Sequence, residues 1–153
     1  MITTTIILMA ASVSSSAAKA DAICEVGRVA LQDLPSINRE RSADLYYAGH
    51  DAERTDVLEV CPKLVSEIPA GYPLADRDAR ARANMHVPIA GQAIKAAFIY
   101  SIEVPEIGAD LKTATVRMDV SCTGLCGSGF EAHYIRTAKG WKRQGDIRTL
   151  FVS

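Results

Sequence analysis

The sequence lacks the patterns that ordinarily announce a chemistry. Its three histidines, His50, His86 and His133, stand in no metal or hydrolase spacing. Gly124, Gly127 and Gly129 make no strand-to-helix phosphate loop, because the residues after them read as a strand. Neither charge is in excess: 17 basic residues face 18 acidic ones, for a net charge of −1. That balance argues against a nucleic-acid partner, whose binding needs a basic surplus. No apolar run reaches the roughly 20 residues of a stable membrane span. No cofactor signature is present either.

What is present begins with an apolar run, Ile6-Ile-Leu-Met-Ala10, followed by a small polar stretch and Ala18-Lys19-Ala20, the small-x-small pattern of a signal-peptidase site. No Lys or Arg precedes the run, which departs from the usual leader. The expectation is a signal peptide over residues 1–20, a single α+β domain over 21–153, and a periplasmic or secreted product. Losing the leader removes Lys19 alone among charged residues and leaves a net charge of −2. A chain of the remaining length buries about two-thirds of its unfolded surface, so disulfides supplement its core rather than replace it.

Cys24, Cys61, Cys122 and Cys126 all follow the expected cleavage point. An even number in an oxidising compartment points to two disulfides. Three pairings exist; Cys24 with Cys61 and Cys122 with Cys126 is preferred, because the second pair is already close in sequence. Ile23 argues against a lipid anchor on Cys24, since the residue before a lipidated cysteine is normally small.

Ile23, Val26, Ala30 and Leu34 fall at helical spacing, with Asp21 as a candidate N-cap and Pro35 as a stop. Ser36 to Arg54 is polar apart from Leu45-Tyr46-Tyr47, and Gly49-His50-Asp51 reads as a turn. Val57, Leu58, Cys61, Leu64, Val65 and Ile68 fit one helical face, but Pro62 interrupts it. Two pieces are expected, Val57 to Val60 extended or separately wound, then a short helix from Pro62 to Glu67; one kinked helix is the alternative. Asp76 to Asn84 carries Arg77, Arg80 and Arg82, offset by Asp76 and Asp78, and reads as a solvated helical turn rather than an anion-binding patch.

From Ala97 the pattern is that of strands. Ala97 to Val104, Thr113 to Cys122, Gly129 to Ala138 and Trp141 to Val152 are joined by turns at Gly108-Ala-Asp110 and Lys139-Gly140 and by a long, irregular connection at the cysteines. Val116, Met118 and Val120 alternate with Arg117, Asp119 and Ser121, the period of a half-buried strand. The expected architecture is therefore α+β: N-terminal helices packed on a C-terminal four-stranded antiparallel meander, stapled by disulfides.

Two groups could carry chemistry. Cys122 and Cys126 are spaced too widely for the usual redox motif and run into a strand, so they read as a staple. A zinc site with His133 has no apparent fourth ligand. Glu131 and His133, two apart, would share one strand face, and Asp119 on the preceding strand could lie nearby. That trio reads either as a solvent-facing polar row or as an acid–base set in a concave sheet.

Cys122-Thr-Gly-Leu-Cys126-Gly-Ser-Gly129, then Gly140-Trp141-Lys142 and a closing Val152-Ser153, resembles the end of a group of small, uncharacterised exported bacterial proteins. They carry a Cys-x-Gly-Leu-Cys-Gly type of loop, a Gly-Trp turn and a Val-Ser terminus. The resemblance covers the last third of the chain and implies export and local fold, not activity. Leu150-Phe151 stands where a tryptophan is often found. The helix-then-sheet order also allows a cone-shaped fold of the nuclear-transport-factor-2 kind, an analogy that supplies no function.

The leading expectation is an exported, non-catalytic binding or structural domain with a protein or small-molecule partner. The alternative is a small-pocket ligand-binding protein or enzyme using Glu131, His133 and Asp119. Thiol–disulfide exchange at Cys122 and Cys126 is a third.

Overall fold

A computed structural model describes residues 8–37, 42–49, 54–85, 87, 91, 93–124 and 126–153. The start of the expected leader, His50 and Asp51 of the expected turn, and His86 lie outside the described residues.

Helix α1 spans Leu8–Ile37. Ala22, Val26, Ala30, Leu31, Leu34 and Ile37 are buried along it, at the three- and four-residue steps of one helical face. Asp21 is not an N-cap, since the helix is already running when it reaches that residue. The alanine-rich residues before it favour helix, and extending a formed helix is easier than nucleating a new one. Nor does Pro35 stop the helix. It deprives the Leu31 carbonyl of a donor, yet the last turn reaches Ile37, whose side chain is buried in the core.

The sheet corrects the expected meander. Among the described residues it has six strands: β1 (Asp44–Tyr47), β2 (Ala97–Ile102), β3 (Glu106–Ile107), β4 (Thr113–Cys122), β5 (Cys126–Thr137) and β6 (Gly140–Val152). The order is β1-β2-β4-β5-β6, with β3 also pairing β4. The fold remains α+β, but the sheet is mixed: β1 runs parallel to β2, Asp44 facing Ala97 and Tyr47 facing Tyr100, while the other pairs are antiparallel. A parallel neighbour needs a long crossover. Here it contains α2 (Val57–Val60), a 3-10 helix (Pro62–Glu67) and α3 (Arg77–Ala83). Two separately wound pieces thus flank Pro62, as expected.

Asp56 makes the start of α2. Its side chain accepts from the Leu58 N–H at 2.8 Å, while the Glu59 carboxylate accepts from the Asp56 N–H at 3.2 Å, a reciprocal capping box. The buried Asp56 carboxylate also accepts from the Tyr47 hydroxyl at 2.9 Å and the Ile102 N–H at 3.3 Å, tying the crossover to β1 and β2. Burial pushes this carboxyl above its usual range.

Helix α1 lies on one face of the sheet. Tyr100 and Ile102, Val116, Met118 and Val120, and Ala132 and Tyr134 form a core with its buried residues. Polar bonds fix its position: the Tyr134 hydroxyl donates to Asp33 at 2.8 Å and the Trp141 indole N–H to Glu25 at 3.0 Å. Cys24–Cys61 joins α1 to the junction of α2 and the 3-10 helix. Gly27 lets these elements close up, since a Cβ there would stand 2.6 Å from Cγ2 of Val57.

Helix α3 covers part of the opposite face, near β1, where Ala83 packs with Ala48, Ala97 and Ile99. Asp76 caps it by accepting from the Ala79 N–H. Its arginines are not simply solvated: Arg82 bonds Asp44, Asp78 and the Tyr46 hydroxyl, and Arg80 donates to the Ala48 carbonyl. Among the described residues the rest of that face is left open.

Cys122 and Cys126 are bonded and directly opposite each other in register. The expected long connection is therefore a short one, and Gly127-Ser128-Gly129 belongs to β5. Of these loop glycines, Gly124 alone has a positive φ, at 99°. Among the described residues no helix is long and apolar enough to cross a membrane.

Candidate functional site

The open face carries the polar residues that strand alternation turns away from α1. In β4 these are Thr115, Arg117, Asp119 and Ser121, between the buried Ala114, Val116, Met118, Val120 and Cys122. Opposite them in β5, Gly129 faces Asp119, Glu131 faces Arg117, and His133 faces Thr115. Asp119, Glu131 and His133 thus share a face but do not converge. Asp119 and Glu131 line one open depression of about 740 Å³, whereas His133 lines a separate hollow with Thr115 and Gln144. The His133 Nε2 stands 3.6 Å from Glu131, and its Nδ1 3.2 Å from the Thr115 hydroxyl.

Arginines dominate the depression. Arg54, just before the Asp56 cap, bonds Glu103 and also Asp119, the latter at 2.6 Å. Glu131 accepts from Arg148 of β6 at 2.8 Å and lies 3.5 Å from the Arg117 Nε. Burial pushes the Asp119 carboxyl above its ordinary range, and Arg54 offsets only part of that shift. Near these carboxylates the Arg54 guanidinium is held charged still more firmly than usual.

Three guanidinium and three carboxylate groups cancel in charge, but not in what they present to solvent. The side chains of Arg54, Arg117 and Arg148 are 56%, 47% and 68% exposed, against 25%, 25% and 10% for Glu103, Asp119 and Glu131. Carboxylates make the floor and N–H donors stand above it.

An apolar ledge borders this array. Pairing between β5 and β6 slips between Gly129 and Phe130: Gly129 faces Phe151, while Phe130 faces Thr149. Leu150 is the extra residue of a bulge, a device that re-aims side chains. Leu150 and Phe151, which alternation would send to opposite faces, both line the depression with Val104.

Sequence reading singled out Asp119, Glu131 and His133 and missed Arg54, Glu103, Arg117, Arg148, Leu150 and Phe151. Arg117 was legible, as it alternates with Met118 and so falls on the face of Asp119. Arg148 and the Leu150–Phe151 pair were not, because a bulge carries no simple periodic signal. Arg54 arrives from a distant loop. The cysteines that might have ligated zinc with His133 are instead bonded to each other. Among the described residues no three His, Cys, Asp or Glu side chains are grouped to hold a metal ion.

The chain shows no significant match to any family model, curated protein or solved structure.

Proposed function

We propose that the protein is an exported, non-catalytic binding domain that holds its ligand on the open sheet face, in the depression between Arg54 and the end of β6. The observation that carries this reading is the commitment of each acid there. Glu103 and Asp119 are tied to Arg54, and Glu131 to Arg117 and Arg148. A general acid or base needs a proton that a substrate can reach; these carboxylates instead hold arginine side chains in place.

The alternative, an enzyme or ligand-binding protein of cone-like fold using Glu131, His133 and Asp119, has less support, because His133 and Asp119 line different hollows. Thiol–disulfide exchange at Cys122 and Cys126 is disfavoured by the burial of Cys122.

Export, with residues 1–20 removed and 21–153 retained, is supported by the two disulfides. The pattern along α1 agrees with it: residues 15–20 are exposed or half-exposed, and burial starts at Ala22, just beyond the proposed cleavage point. Likeness to small exported bacterial proteins at the cysteine loop, the Gly140-Trp141 turn and Val152-Ser153 points the same way.

The binding reading is tested by NMR mapping of a small-fragment library on isotope-labelled protein recovered from the exported fraction. Shifts clustering at Arg117, Asp119, Glu131, Arg148 and Phe151 are expected. Hits confined to other surfaces, or a turnover abolished by D119N or E131Q, would sink it.

A further inference from the structure

The arrangement of the depression goes further than a binding surface. We propose that its ligand is a small organic acid with an apolar body, the carboxylate held by Arg117 and Arg148 and the body laid on Leu150 and Phe151. This rests on the binding reading above and names the ligand class for that same face.

The argument starts from Glu131. Its side chain is only 10% exposed; it accepts one hydrogen bond from Arg148 and forms an ion pair with Arg117 at 3.5 Å. A guanidinium carries five N–H donors in a planar fork, of which a single carboxylate contact uses one or two. Arg148 therefore has donors left, and at 68% exposure they are available from solvent. Arg117 is engaged only loosely, with Glu106 standing 3.9 Å away on its other side. With Glu106 counted, two carboxylates face two guanidinium groups, so the charges balance at this end and what is left for a ligand is unused, solvent-facing N–H donors. A carboxylate meeting two such forks makes charge-assisted bonds, the strong class.

The other half of the ligand is set by β6. Leu150 and Phe151 are 41% and 48% exposed, and what sets them apart is that the bulge brings both to the same depression. Covering them removes apolar surface from water. An inorganic anion would leave this ledge uncovered. A neutral apolar molecule would lie against guanidinium groups without satisfying them, and an ammonium group would meet the Arg54, Arg117 and Arg148 donors that stand above the carboxylates.

The test uses 4-phenylbutyrate, 4-phenylbutanol, 4-phenylbutylamine and inorganic phosphate as probes of the exported protein, by calorimetric titration and NMR shift mapping. Phenylbutyrate is expected to bind at least about tenfold more tightly than the alcohol, the loss expected when charge-assisted bonds go unmade, and to shift Arg117, Arg148, Leu150 and Phe151. R148A and R117A should each weaken it by about tenfold or more, with R148K recovering part of the loss because it keeps the charge but not the fork. F151A with L150S should weaken phenylbutyrate while leaving phosphate unchanged. Circular dichroism of each variant separates lost binding from lost fold, and added salt should weaken wild-type binding without any substitution.

Absence of phenylbutyrate binding overturns the proposal. So does equal binding of the alcohol, the amine or phosphate, or indifference of phenylbutyrate to both arginine variants. If fragments of another chemistry still map to the same residues, the ligand class fails while the binding face stands; if no fragment maps there, both fail.

Discussion

Phe151 lies over Gly129, so close that a Cβ on that glycine would stand 2.2 Å from the Phe151 Cε1. The two residues are register partners across β5 and β6. Gly129 is in a strand with no positive φ, so the glycine is required here by the ring and not by the backbone.

Gly129→Ala therefore has a specific expected signature. The ring is half-exposed and can swing outward, so thermal stability should fall by no more than about 1 kcal/mol. The ledge beside Arg148 should nevertheless be displaced, seen as large NMR shifts at Phe151 and Leu150. A large stability loss with an unmoved ring would contradict this account of the contact.

Asp56 should be far less tolerant. Its carboxylate serves the Leu58 N–H, the Tyr47 hydroxyl and the Ile102 N–H, all in a buried setting. Asp56→Ala leaves these donors unpaired and should cost on the order of 3 kcal/mol or more. Asp56→Asn keeps an acceptor for the cap and should cost less. Urea denaturation of both variants gives the comparison; equal losses would mean that the hydrogen bonds are not what Asp56 contributes.

The two disulfides should differ in worth. Cys24 and Cys61 are 37 residues apart and Cys122 and Cys126 only 4. In the loop-entropy account the first closes a loop worth about 4 kcal/mol and the second about 2. The second figure is an upper value, because the β4–β5 ladder already sets those residues opposite each other. Denaturant midpoints of the two paired Cys→Ser variants should fall in that order, and a larger loss for the hairpin pair would reverse the assignment of roles.

These sites also mark what sequence could and could not convey. The core face of α1, the break at Pro62, the alternation of β4 and both cysteine pairs were legible, because each depends on neighbours a few residues apart or on redox arithmetic. β1 was not. Leu45-Tyr46-Tyr47 is too short to carry a period, and its partner β2 lies some fifty residues on, so only tertiary pairing defines it as a strand. The start of α1 was misplaced because Asp21 has the chemistry of a cap but sits within a run that already favours helix. In the candidate site, period-two reasoning puts Glu131 and His133 on one face, and the strand order brings Asp119 onto the same one. Arg54 and Arg148 reach that face through a loop and a bulge, where periodicity carries no information. The capping box of Asp56 and Glu59 is written in the sequence as an acidic residue three before a glutamate.

Asp119 gives the site a pH signature. Its carboxyl titrates above the ordinary aspartate range in the folded protein, chiefly because it is partly buried, with Arg54 pulling the other way and Glu103 adding to the rise. Between the unfolded and folded values the native state holds a proton that the unfolded chain has released, so stability must fall as pH rises across that interval. The contribution is fully present below the unfolded value of about 4 and is lost as pH passes through the raised folded one. Asp119→Asn does not titrate and should flatten this part of the profile, leaving the share due to Asp56, which is raised in the same direction. Melting temperatures of wild type and D119N, measured from mildly acidic to neutral pH at constant ionic strength, give the result as a difference. The wild type should lose ground to the variant as pH rises through the acidic range. If it gains instead, Arg54 outweighs burial, and Asp119 is the negative half of a net stabilising ion pair.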